Sequence, residues 1–205
     1  MNLTITQDAL PNLSTFKGNA KPLLDAIILN TKSYEYLHCV HDTTVSLTLP
    51  NYTRQLFVEE GSCNADIIRV DLFSPCVLLR FISIADNSLQ ASPSLVLSSL
   101  PRLTRVVVGN QCFCPSDMKN GSFKIHDCPR LASVTVGENS FTWVNTLLLS
   151  QLDSFASLDV GATSFQSCLT FTVIHCKNLS MIVFPNQSFP KLMTVDIAGK
   201  CVSIH

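Results

Sequence analysis

Apolar residues fall at alternate positions in short runs along this chain, and the runs return at a fixed interval. Leu131, Val134, Val136, Asn139 and Phe141 recur as Phe155, Leu158, Val160, Thr163 and Phe165, and again as Leu179, Ile182, Phe184, Gln187 and Phe189. Upstream, the same spacing gives Leu103, Val106, Val108, Gln111 and Phe113, preceded by Leu79, Ile82, Ile84, Asn87 and Leu89. First positions at 79, 103, 131, 155 and 179 stand 24, 28, 24 and 24 residues apart. A second half-motif keeps the same beat at Leu95/Leu97/Leu100, Phe123/Ile125/Cys128, Leu147/Leu149/Leu152 and Phe171/Val173/Cys176, with weaker copies at Val70/Leu72 and Leu47/Leu49. Period-two alternation is the spelling of strands, and a repeat of this length is the spelling of a solenoid. The five residues between Phe141 and Leu147 are too few for a helix. The pattern therefore predicts a strand-dominated solenoid of about six coils, two strands to a coil, joined by tight turns.

Stacking explains the choice of residues. A single coil cannot bury its apolar face, whereas stacked coils align Val106, Val134, Leu158 and Ile182 into one ladder, each buried aliphatic contributing about 1.5–3 kcal/mol. Gly109, Gly137 and Gly161 follow the alternating run, with Ala85 and Pro185 in the same place, and predict a left-handed or bulged exit from the strand. Asn87, Gln111, Asn139, Thr163 and Gln187 form a polar ladder expected to bond turn amides.

The spacing at 79 to 89 and 131 to 141 resembles the leucine-rich repeat consensus, and the ending in Asn139, Ser140 and Phe141 with the Cys128, Pro129, Leu131 junction is similar to the BspA-like leucine-rich repeat proteins of bacteria and protists. The likeness covers 79 to 199 well and 45 to 78 with gaps. It implies a right-handed horseshoe solenoid with a parallel sheet on the concave side, used for protein binding. Gln and Thr at the asparagine position depart from the pattern, as does the 28-residue unit, whose extra residues fall in the loop at 114 to 121. Residues 1 to 44 read as a degenerate first coil or cap and 45 to 205 as the solenoid. Val195 and Ile197 begin a further coil with no capping segment after it, which points to a truncated product or part of a larger assembly.

Side chains that flank the inward positions of a strand point away from the core. They form a stripe of Phe81/Ser83, Arg105/Val107, Ser133/Thr135, Ser157/Asp159 and Met181/Val183 on the expected concave sheet. Two charges among small polar and apolar residues suit a protein or peptide ligand better than a polyanion, with Phe81, Arg105 and Met181 as anchors. The competing locus is the 114 to 121 loop.

Composition narrows the alternatives. The chain is 46% hydrophobic and only 14% charged, with 14 Lys+Arg against 15 Asp+Glu and no basic run, so nucleic acid and anionic membrane are not expected partners. The N-terminus lacks a basic segment followed by an apolar one, and no apolar stretch is long enough to span a bilayer, which favours a cytoplasmic location. Six Asn-x-Ser/Thr sequons, at Asn2, Asn12, Asn51, Asn120, Asn178 and Asn186, matter only if the chain is secreted. Nine unevenly spread cysteines do not resemble a disulfide framework and read as small buried hydrophobes.

His38, Cys39 and His41, His126 with Cys128, and His175 with Cys176 pair imidazoles with thiols, but none has the spacing of a closed zinc site. Cys128 and Cys176 share a position with Leu152 and read as core. Cys112 aligns with Ser140, Ser164 and Ser188, and Glu59 and Glu60 mark a solvated turn before Gly61. No nucleophile elbow, phosphate loop or zincin motif is present, so neither a catalytic residue nor a cofactor or metal is expected. The leading expectation is a non-enzymatic leucine-rich repeat binding scaffold. The runner-up is the repeat region of a larger surface or adhesion protein, and the third reading, a solenoid hydrolase, lacks a clustered pair of titrating groups.

Overall fold

The computed structural model describes residues 26–29, 37–40, 44–64, 67–72, 76–116, 120–185 and 187–198. Fifteen strands and no helix occur among them. The first half of each repeat becomes a strand of one sheet: β4 (Gln55–Val58), β6 (Phe81–Ile84), β8 (Arg105–Val108), β10 (Ser133–Val136), β12 (Ser157–Val160) and β14 (Met181–Val183). The second half-motif builds a second sheet from β5 (Ile67–Leu72), β7 (Leu95–Ser98), β9 (Gly121–His126), β11 (Val144–Ser150), β13 (Thr170–Ile174) and β15 (Thr194–Ala198). The chain alternates between the sheets and every neighbouring pair within these two sets is parallel, so the fold is a β-solenoid of about six turns.

The segment up to Leu47 feeds the same two sheets. Strand β1 (Ala26–Leu29) pairs parallel with β4, and β3 (Thr44–Leu47) pairs parallel with β5. Strand β2 (Leu37–Val40) runs antiparallel to β3 and forms the edge of the second sheet.

Alternation places every second side chain between the sheets. Val106, Val134 and Leu158 are fully buried and in register, with Ile182 next in line, as the repeat requires. On the facing sheet Phe123, Leu147 and Phe171 form the matching ladder. The turns into β6, β8, β10, β12 and β14 bury Leu79, Leu103, Leu131, Phe155 and Leu179. At the far corner Phe113, Phe141, Phe165 and Phe189 stack face to face, with ring centroids 4.5, 5.3 and 4.9 Å apart. In the last described coil Val195 and Ile197 hold the inward register but are 54% and 43% exposed.

Two turn expectations are corrected. Gly109, Gly137 and Gly161 do not adopt positive φ; among the described glycines only Gly61 does. They are glycines because coils meet backbone to backbone: a Cβ on Gly137 would lie 2.5 Å from the carbonyl carbon of Gly109, and one on Gly161 2.5 Å from Glu138 N. The polar ladder shifts by one residue. Asn87, Gln111, Asn139, Thr163 and Gln187 themselves take the left-handed conformation, at φ of 54–65°, and Gln111, Asn139 and Gln187 are exposed. The turn amides are instead received by the buried hydroxyls that follow. Cys112 N donates to Ser140 Oγ at 3.1 Å, Ser140 N to Ser164 Oγ at 3.1 Å and Ser62 N to Ser88 Oγ at 3.3 Å. Each hydroxyl then donates onward, Ser140 Oγ to Gly109 O and Ser164 Oγ to Gly137 O, both at 2.8 Å.

Candidate binding surface

The outward positions of the first sheet stand in two ladders. One runs Gln55, Phe81, Arg105, Ser133, Ser157 and Met181; the other runs Phe57, Ser83, Val107, Thr135, Asp159 and Val183. Parallel pairing sets successive rungs about 4.8 Å apart. Arg105, Asp159, Met181 and Val183 are exposed, and Phe81, Ser83, Val107, Ser133, Thr135 and Ser157 are half-buried by their neighbours on the same face. All ten residues of the expected stripe therefore share one face in the expected order.

Gln55 and Phe57 extend that face by one coil and were missed, because this coil spells its turn with buried Thr53 where the others have a large apolar residue. The alternation of Leu56 and Val58 was the signal that could have found them. Phe57 and Phe81 meet edge to face, centroids 5.7 Å apart at 65°.

The loop after β8 is tied down at its described ends. Cys114 Sγ donates to Gln111 O at 3.3 Å, Asn145 Nδ2 to Asn120 Oδ1 at 2.9 Å and Gly121 N to Trp143 O at 3.1 Å. Residues 117–119 lie outside the described residues.

The chemical candidates separate rather than converge. Cys128 and Cys176 are buried in one column with Cys76, Leu100 and Leu152, and burial pushes the Cys128 thiol up to about 11. The His126 side chain lies on the outer side of β9, only its backbone carbonyl accepting from Cys128 Sγ at 3.4 Å, and His175 occupies a left-handed corner at φ 55°. His38 belongs to β2, and His41 and Cys201 lie outside the described residues. Cys112 fills a serine place in function as well as position. Its thiol donates to Ala85 O at 3.2 Å, as Ser140 does to Gly109 O. Glu59 and Glu60 are exposed beside Gly61, as a solvated turn requires. Of the sequon asparagines, Asn51, Asn120 and Asn178 are exposed, and Asn2, Asn12 and Asn186 lie outside the described residues. No described helix is long and apolar enough to cross a membrane.

No protein-family model matches this chain, no curated protein matches it, and no solved structure matches it.

Proposed function

We propose that the chain is a non-enzymatic binding scaffold of the leucine-rich repeat kind, BspA-like in its spelling, in which the first sheet is the concave face of a right-handed horseshoe. The repeat spelling at 79 to 89 and 131 to 141 supports the family part of this reading. The observation that carries the binding part is the pair of outward ladders. Twelve side chains of mixed chemistry are held at strand spacing and in register from coil to coil, the presentation repeat scaffolds use for polypeptide ligands.

The test is affinity capture from the native source with the wild-type protein and an R105A/T135A/D159A variant in parallel. The variant's altered side chains all lie on the outer face, so its melting temperature should match wild type. A polypeptide bound by wild type should bind the variant about tenfold more weakly. Unchanged affinity, with binding abolished instead by deletion of the 114 to 121 loop, would place the ligand on the loop and end this reading.

A further inference from the structure

All described strands of the first sheet run the same way, so their N-terminal ends form one edge of the binding face and their C-terminal ends the other. Arginines gather on the first edge. Arg54 and Arg80 immediately precede β4 and β6, Arg105 opens β8, and Arg102 and Arg130 sit in the turns leading into β8 and β10. All five are exposed. Among the described residues of these turns one carboxylate, Asp127, stands beside them, accepting a hydrogen bond from Ser99 Oγ at 2.9 Å; Asp153, one coil further, is paired with Lys177 at 2.9 Å. The opposite edge of the same coils carries Glu59, Glu60, Asp86 and Glu138, and no cation among its described residues.

Charge on the chain as a whole is nearly balanced, but across this face it is sorted. The two edges are a four-residue strand apart, roughly 13 Å, with the half-exposed Phe57–Phe81 pair between them and Arg105 beside Phe81 in register. Arginine beside aromatic rings is the composition of strong binding centres, and the guanidinium fork takes a carboxylate through two parallel hydrogen bonds. A broad polyanion laid on the arginines would also cover the acidic edge and be repelled there. A single extended chain can follow one edge without meeting the other: about four residues span the ~10 Å from Arg80 to Arg130.

We infer that this face takes an acidic polypeptide segment lying along the solenoid axis, its carboxylates on Arg80, Arg102 and Arg130 and an apolar side chain on the Phe57–Phe81 pair. The inference rests on the first sheet being a binding face and adds the chemistry of what it binds.

The test is fluorescence anisotropy on the full chain with three probes: a short labelled peptide of alternating glutamate and leucine, its lysine and leucine counterpart, and a sulphated oligosaccharide. The glutamate peptide should bind, more weakly as salt rises. An R80A/R102A/R130A variant should lose about tenfold in affinity while keeping the wild-type melting temperature, since all three side chains are exposed. The inference is overturned if the glutamate peptide does not bind, if the variant binds it as tightly as wild type, if the lysine peptide binds equally well, or if the oligosaccharide binds more tightly. A captured partner lost by R105A/T135A/D159A but kept by R80A/R102A/R130A would leave the binding face standing and remove the acidic segment.

Discussion

A thiol can stand for a hydrocarbon or for a hydroxyl, and this core uses it both ways. At one inward position Cys76, Cys128 and Cys176 alternate with Leu100 and Leu152, while Cys112 takes the place that serine holds in the neighbouring coils. Desolvation pushes the Cys112 and Cys128 thiols up to about 11 from an ordinary value of 9.0. The folded state thus keeps protons that the unfolded chain releases. Their contribution to stability is full below pH 9.0 and is lost as pH rises toward 11. Urea melts should show the midpoint falling over that window, with less fall in C112S and C128L variants. Alkylation followed by peptide mass spectrometry should find Cys128 and Cys176 slow in the native state and half-buried Cys114 faster. Rapid labelling of Cys128 would contradict its burial. Position decides outcome just as sharply for aliphatics. Val134→Asp places an unpaired charge between Val106 and Leu158 and should destabilise by about 3–5 kcal/mol. Thr135→Lys, one residue on, faces outward in register with Asp159 and should stay within about 0.5 kcal/mol in the same thermal melts.

Strands and turns differ in how far their own residues announce them. The inward positions were legible because two periods coincide, alternation within a strand and recurrence between coils, and Val134 satisfies both. The reason for Gly137 was not legible, because the atoms that exclude a side chain there belong to Gly109 and Asn110 of the preceding coil. Gly137→Ala should therefore cost several kcal/mol in chemical denaturation, about as much as an overpacked core site, while Gly61→Ala meets no atom and pays only about 1–2 kcal/mol for its positive φ. Equal effects at the two glycines would mean that coil contact is not what selects them. The polar ladder was misplaced for a related reason. Asn139 is a residue suited both to capping and to the left-handed region, and only the geometry shows that it does the second while Ser140 does the first. The outward stripe was legible from alternation alone, but the arginine edge was not. Arg54, Arg80, Arg102, Arg105 and Arg130 are scattered through 77 positions of sequence (54 to 130) and become neighbours only when the coils stack.

Across the whole molecule, stability is a sum over neighbouring coils rather than the property of one centre. Amide hydrogen exchange should be slowest in β8 to β12, whose inward residues are fully covered, and faster in β14 and β15, where Ile182 is half-exposed and Val195 and Ile197 exposed. Uniform protection across the fifteen strands would count against additive coils. The 28-residue unit shows how little the stack depends on the length of its corners. Four more residues than its neighbours leave Val106 opposite Val134 and Phe123 opposite Leu147. Copy number is then a heritable variable separate from fold. Unequal recombination within the gene that removed residues 133–156 would carry Ala132 straight to Ser157, set Leu158 on Val106, Phe165 on Phe113 and the Ser164 hydroxyl under the amide of Cys112, and yield a shorter protein with every ladder rejoined.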